Sequence, residues 1–143
     1  APARPVTVLP YSYTLSDAQA SALPKALHGA VGPGAQPQLQ PTLPLGAEDA
    51  LPPSTLEGAQ ADVAALFAAT ATPERETHGA FVRTLANAVN GRATVSVLID
   101  ESAFRQRSGN ASDAELRLTQ RRVAWQRMLH DLSLPAPKFV MLE

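Results

Sequence analysis

A β-branched apolar run at residues 94–99 is the clearest hydrophobic pattern in the chain. Two carboxylates, Asp100 and Glu101, end this run, and an arginine-rich helical pattern follows them. A strand that is apolar on both faces is typical of the interior of a parallel sheet, because helices cover both sides of such a sheet. The pattern therefore predicts a central parallel strand whose carboxyl end lies where open α/β sheets bind ligands.

Apolar runs near both ends of the chain predict two further strands, at residues 6–9 and 138–142. Proline has no amide hydrogen for a strand ladder, so Pro10 is expected at the end of the first strand or at a sheet edge. Residues 33–53 hold six of the 13 prolines. The leucines among them fit either a short edge strand or a proline-rich loop.

The first helix is predicted to begin at Ser16, which forms an S-x-x-Q capping box with Gln19. Leu23 and Leu27 lie one turn apart on its expected buried face. Pro24 has no amide hydrogen and its ring clashes with the preceding turn, so we expect it to kink or shorten this helix.

Capping residues predict two more helices in the middle of the chain. Ser54 and Glu57 form a second capping box. The helix that they open carries three apolar residues on one side: Val63, Leu66 and Phe67. Thr72 and Pro73 open the next helix, which Asn90 ends in the left-handed conformation. Its core face, at helical spacing, comprises Phe81, Val82, Leu85, Ala86 and Val89.

The last predicted helix opens with a capping box of Ser112 and Glu115 and runs to about Leu132. Its apolar positions are Leu118, Val123, Trp125, Met128, Leu129 and Leu132. A strand, a helix and a strand joined by short loops describe a right-handed βαβ unit. We therefore expect residues 1–143 to form a single three-layer α/β domain, Rossmann-like or flavodoxin-like, with helices flanking a mainly parallel sheet of about four strands.

Composition is that of an ordinary globular domain. A chain of 143 residues can bury a substantial core. With 17% charged residues and a net charge of −1, it is not typical of a nucleic-acid binder held by overall charge. The absence of cysteine excludes disulfides and thiolate metal sites.

The two ends of the sequence suggest a piece of a longer protein. The chain begins at Ala1 without a methionine and stops almost on the apolar residues 139–142. No signal peptide is visible, and no apolar run approaches the ~20 residues of a membrane span. We therefore expect a fragment, with an anchor or an activity in the remaining part.

Residues 97–101 resemble a Walker B motif, an apolar strand that ends in Asp-Glu. In an NTPase, Asp100 would help to hold Mg²⁺ and Glu101 would orient the attacking water. This chemistry also needs a phosphate cradle of the form G-x-x-x-x-G-K-[ST], which the sequence lacks. Because an acid at the end of an apolar strand often caps the next turn, we favour a structural role for Asp100.

Arginine is concentrated in the second half of the chain and allows three interpretations. In the first, these arginines form a solvated face of the last helix. In the second, they pair with the strand-end carboxylates in a fixed polar network. In the third, they bind a phosphate group or a partner protein. The candidate ligand- or partner-binding residues are Asp100, Glu101, Arg105, Arg107, Arg117 and Arg121. Nucleic acid is disfavoured as a partner because aromatic residues do not interleave with these arginines.

Other catalytic or metal-binding patterns are missing from the sequence. His28, His78 and His130 are far apart and have no partner at ligand spacing, so no metal site is expected. The two strand-end carboxylates would point in opposite directions, which is poor geometry for an acid/base pair. Ser102 lacks a G-x-S-x-G elbow, and Trp125 fits the core better than a ligand platform. We name no catalytic residue and no cofactor, and we do not expect an enzyme.

Three pieces of sequence carry a family resemblance: residues 97–102, Arg105 and residues 117–125. With them, the stretch 72–142 resembles the end of a family of uncharacterised bacterial inner-membrane proteins that are encoded beside a GTPase-like protein. No catalytic residue is established for that family, so the resemblance assigns none. It implies that segments outside this chain cross the inner membrane, that this domain lies on the cytoplasmic side, and that a GTPase-like protein is its partner.

These observations favour a non-catalytic domain of a bacterial membrane protein that serves interaction or regulation. The alternative is an enzyme or sensor domain that binds a nucleotide or another phosphorylated small molecule at the carboxyl edge of the sheet. In that alternative, Arg105 or Arg107 would hold the anion, and Asp100 would hold a metal or a hydroxyl group.

Overall fold

Strands and helices alternate along the chain in the computed structural model, which describes residues 4–44, 62–69, 72–91, 94–102, 104 and 111–142. The strands are β1 (Arg4–Pro10), β2 (Ala35–Leu39), β3 (Asp62–Ala68), β4 (Val95–Asp100) and β5 (Pro137–Val140). The helices are α1 (Asp17–Val31), α2 (Ala80–Val89) and α3 (Ala111–Asp131), and a π-helical turn, Arg75–Gly79, directly precedes α2.

The strands form one sheet in the order β2-β1-β3-β4-β5, and every neighbouring pair is parallel. Leu23 and Leu27 of α1 pack with one face of the sheet, whereas α2 and α3 pack on the other. This confirms the predicted three-layer α/β fold, although the sheet has five strands where about four were expected. The order is that of a doubly wound, flavodoxin-like sheet, which reverses direction between β1 and β3.

The helix predicted around Val63, Leu66 and Phe67 is wrong, because these residues lie in β3. Val63 and Phe67 pack in the core between the sheet and α2 and α3, whereas Leu66 packs on the α1 side. β3 is buried on both faces, so its sequence has no alternation, and a short apolar run then fits a helix as well as a strand. The proposed capping box of Ser54 and Glu57 lies outside the described residues.

The proline-rich segment does supply an edge strand, but β2 begins earlier than the leucine pattern suggested. β2 pairs only with β1 among the described strands, and most of its residues are exposed. Leu43 forms a single parallel bridge to Tyr11, and Leu45 lies outside the described residues. Pro10 ends β1, where its missing amide hydrogen is tolerated.

The first helix begins as predicted. Ser16 caps α1 through its side chain, and Gln19 returns a bond to the Ser16 amide, so the capping box is complete. Pro24 lies inside α1, which nevertheless continues to Val31, so the expected shortening is wrong.

The start of the next helix was misplaced. Thr72 and Pro73 lie in irregular chain, and the π-helical turn intervenes before α2. The predicted core face of α2 is confirmed, with four buried residues: Phe81, Val82, Leu85 and Val89. Asn90 ends α2 in the left-handed conformation, with φ of 49° and ψ of 45°.

α3 has a narrower buried side than its sequence suggested. It buries Leu118, Trp125 and Leu129, whereas Val123, another of its apolar positions, is exposed. Trp125 is fully buried, as expected of a core residue. Even α3, the longest described helix at 21 residues, is not apolar enough to cross a membrane, and no other helix in the described ranges qualifies.

Candidate functional site

The carboxyl edge of the sheet is where the sequence places the candidate site. Asp100 is the last residue of β4, and Glu101 follows it. Arg105 and Arg107 lie outside the described residues. Arg117 and Arg121 lie on α3, and neither forms an ion pair with the two carboxylates in the described part of the chain.

Asp100 is fully buried and accepts hydrogen bonds at both carboxylate oxygens. Its Oδ1 accepts from the Ser102 amide at 3.1 Å, the Ser102 hydroxyl at 2.6 Å and the Leu142 amide at 3.3 Å. The Tyr13 hydroxyl donates to Oδ2. The bond to the amide two residues ahead is the turn-capping geometry that Asp commonly adopts. The carboxylate thereby ties together the segments that follow β1, β4 and β5.

Tyr13 and Gln19 extend this network to the start of α1, and the sequence did not single them out as partners of Asp100. Gln19 Nε2 donates to the Tyr13 hydroxyl at 3.1 Å, while Gln19 Oε1 accepts from the Ser16 amide at 2.8 Å. The capping box places Gln19 in the first turn of α1, which follows the carboxyl end of β1, and this was the sequence feature that located Gln19 near the edge. The contact between Tyr13 and Asp100 has no sequence pattern, because 87 positions separate the two residues.

Glu101 points to the other side of the sheet and binds α3. Arg122 donates to both of its carboxylate oxygens, with Nε to Oε2 at 2.6 Å and Nη2 to Oε1 at 2.7 Å. These hydrogen bonds raise the pKa of Arg122, and burial only partly opposes them. The Arg122 guanidinium also lies 5.5 Å from the centre of the Phe139 ring.

An arginine of α3 does bind Glu101 at this edge, and it is Arg122, whereas the donors to Asp100 given above include no arginine. Arg121, one residue earlier, instead donates to the Thr72 hydroxyl. Arg117 is exposed. The rotation of α3 explains the difference, because Arg122 lies on the same side of the helix as the buried Leu118, Trp125 and Leu129.

Aromatic side chains fill the described part of the point where the strand order reverses, between β1 and β3. Tyr11, just after β1, is buried, and its ring stacks on Phe81 with centroids 4.4 Å apart. Phe67 of β3 and His78 contact the Tyr11 ring edge-on, at 5.6 Å and 5.7 Å. Doubly wound sheets usually bind ligands at this point. Here packed rings occupy it.

His78 is buried within this aromatic cluster and faces Trp125. Its Nδ1 accepts from the Glu74 amide at 3.0 Å. Burial lowers the pKa of His78, because a charged imidazolium would lose its hydration, and the opposing effect of Glu74 is smaller. The lowered pKa favours the uncharged imidazole, which suits its packing among the aromatic rings. No group of three or more metal-ligating side chains occurs within the described ranges.

Comparisons with protein-family models, with curated proteins and with solved structures find no match to this chain.

Proposed function

We propose that this chain is a non-catalytic interaction or regulatory domain. The observation that carries the proposal is that protein groups already bind both carboxylates at the carboxyl edge, Asp100 and Glu101. Four donors satisfy Asp100, and a bidentate arginine satisfies Glu101. Both carboxylates therefore have structural partners that link β4 to the segments after β1 and β5 and to α3, and this favours a structural role for them over a catalytic one.

The exposed side of α3 is the surface that we assign to a partner protein. We call it the outer α3 face and define it by Leu116, Arg117, Gln120, Val123 and Arg127. Leu116 is 60% exposed and Val123 is 38% exposed, and they lie two turns apart on the same stripe. Exposed apolar side chains beside arginines are the composition that protein interfaces favour. The partner surface that fits is apolar at its centre and carries carboxylates at its edge.

The wider context of the proposal rests on the resemblance of residues 72–142. In this proposal the chain is the cytoplasmic-side domain of a bacterial inner-membrane protein, and its partner is the GTPase-like protein encoded beside it. The membrane would be reached only through segments that lie outside this chain.

A pull-down with the full-length protein from its native host tests the proposal. The variant Leu116→Ser/Val123→Ser/Arg127→Glu removes the apolar centre and reverses one charge, and it should lose the GTPase-like partner. Arg83→Glu changes an exposed arginine on α2 and should retain it. All four positions are exposed, so both variants should keep the melting temperature of the wild type to within a few degrees. Equal recovery of the partner by both variants would contradict the assignment.

Ligand binding at the carboxyl edge is the alternative proposal, in which Asp100 would contact the ligand in addition to its four protein donors. A thermal-shift screen against nucleotides and sugar phosphates separates the two. A ligand at ~100 times its Kd stabilises the folded state by about 2.7 kcal/mol. Saturable stabilisation by one compound, abolished in Asp100→Asn, would overturn the non-catalytic assignment.

A further inference from the structure

A groove of about 810 Å³ runs between α1 and β5 on the face of the sheet opposite α3. Its β5 side is lined by the consecutive residues 138–141. Side chains that point to one face of a strand recur at every second residue. A groove lined by four consecutive residues therefore does not lie on one face alone, and we place it along the outer edge of β5. Its α1 side is lined by Ala22, Lys25, Ala26, Gly29 and Ala30.

The backbone of β5 is open along this groove. β5 is an edge strand, with β4 as its neighbour in the described sheet. The Val140 carbonyl accepts from the Glu101 amide at 3.0 Å, so the main-chain groups of Val140 face β4. Because successive residues of a strand turn their main-chain groups to opposite sides, those of Phe139 and Met141 face outward. An edge of this kind can pair with another extended chain.

The groove is also positively charged. Lys25 and Lys138 are the two lysines of the sequence, and both line it, whereas no carboxylate of the described residues does. Lys138 Nζ donates to the Ala30 carbonyl at 2.6 Å, which places this ammonium on the α1 side of β5. The alanines and glycine of α1 leave room beside the lysines for the side chains of a bound segment.

We propose that this groove binds an extended segment of a partner protein, with acidic residues at alternate positions, as a sixth strand beside β5. Main-chain bonds to Phe139 and Met141 would hold the segment. Its acidic side chains would face Lys25 and Lys138, and the residues between them would lie on the opposite face beside Phe139. This site is independent of the outer α3 face, so either assignment can fail without the other.

The test uses an acetylated and amidated peptide that repeats Glu-Val four times, titrated into the ¹⁵N-labelled chain. Two control peptides test separately the charge of the peptide and the alternation of its residues. One repeats Lys-Val and reverses the charge. The other has all its Glu residues followed by all its Val residues, which keeps the composition and removes the alternation. The expected result is saturable shifts of the Phe139 and Met141 amides with the alternating acidic peptide, and slower hydrogen exchange at both amides.

Two variants assign the contacts. Lys25→Glu/Lys138→Glu should weaken binding of the acidic peptide about tenfold or more, because attraction becomes like-charge repulsion. Met141→Pro removes one outward amide while leaving the ladder to β4 intact, and it should also weaken binding. Arg83→Glu reverses a single charge on the opposite face, away from the groove, and should bind like the wild type.

Three results of the peptide titrations would overturn the proposal, and a fourth would come from the chain without peptide. They are unshifted Phe139 and Met141 amides throughout the titration, equal binding of the Lys-Val peptide, and wild-type affinity in the lysine double variant. Shifts of the same amides that depend on protein concentration without peptide would identify a second copy of the chain as the occupant, and they would also overturn the peptide assignment.

Discussion

At the scale of single residues, Asp100 accepts four hydrogen bonds from three different residues. We expect Asp100→Asn to lower the free energy of unfolding by about 1–3 kcal/mol. The amide keeps one acceptor for Ser102 and Leu142, but it places an NH₂ group against the Tyr13 hydroxyl and loses the charge that strengthens these bonds. Urea unfolding measures the change.

Tyr13→Phe is the matched control for Asp100→Asn. It leaves the carboxylate in place and removes the hydroxyl, and with it the bond to Oδ2 and the bond from Gln19, and it should cost about 1–2 kcal/mol. An unchanged melting temperature in Asp100→Asn would mean that the carboxylate contributes nothing to folding, and a role in binding would then become the better explanation.

His78 gives the fold a dependence on pH. Burial lowers its pKa below the ordinary value of 6.5, so the unfolded chain binds a proton under conditions where the folded chain does not. The free energy of unfolding should therefore fall as pH decreases through 6.5, with a slope of at most about 1.4 kcal/mol per pH unit. Above that range the imidazole is neutral in both states and contributes no slope.

The matched pair His78→Asn and His130→Asn tests the origin of this slope. In His78→Asn the new side-chain amide keeps an acceptor for the Glu74 amide but cannot take up a proton, so the slope attributable to His78 should disappear. His130 is exposed, so its replacement is the control for removing a histidine outside the core. Urea unfolding between pH 5.5 and 8 measures both, and an identical slope in wild type and His78→Asn would contradict the assignment.

At the scale of elements, the sequence predicted correctly the features of helices that depend on neighbouring residues. The capping box of α1 and the core face of α2 depend on residues within a few positions, and both are confirmed. β3 was missed because a strand buried on both faces has no alternation. The bond from Tyr13 to Asp100 could not be predicted, since it exists only after β1 and β4 enter the same sheet.

The sequence offered an ion pair between the carboxylates after β4 and an arginine of α3 as one interpretation, but it did not identify which arginine. The sequence offered several arginines for the carboxylates, and the choice of Arg122 depends on how α3 packs its buried residues. Glu101 is buried, whereas the Arg122 side chain is 36% exposed. Loss of the arginine therefore leaves a buried charge without a partner, whereas loss of the carboxylate leaves an arginine that water can solvate.

This asymmetry gives the element-scale prediction. Arg122→Ala should lower the free energy of unfolding by about 3 kcal/mol, because it leaves the buried Glu101 carboxylate without its ion-pair partner. Glu101→Gln should cost less, about 1–2 kcal/mol. Arg121→Ala, on the neighbouring position, should change stability by about 0.5 kcal/mol or less. Equal effects of Arg122→Ala and Arg121→Ala in urea unfolding would show that the bond to Glu101 does not hold α3 on the sheet.

At the scale of the whole molecule, two apolar cores lie on opposite faces of one sheet, and β3 contributes to both. The point of strand reversal, where this architecture commonly binds ligands, is filled with packed rings in the described region. The proposed contacts with partners accordingly lie at the outside: the outer α3 face on one side, and the groove along β5 on the other.

The burial pattern of the sheet predicts where the native state opens first. β4 is buried throughout and the central five residues of β3 are buried, whereas only Ala35 is buried in β2. Amides of β3 and β4 should therefore exchange hydrogen only through global unfolding, and those of β2 through local detachment from β1, on the order of a hundredfold faster. Hydrogen exchange followed by NMR in native buffer measures both sets. The same exchange rate in all strands would mean that β2 is bound to β1 as firmly as β3 is, and that the exposure of this edge strand carries no cost in local stability.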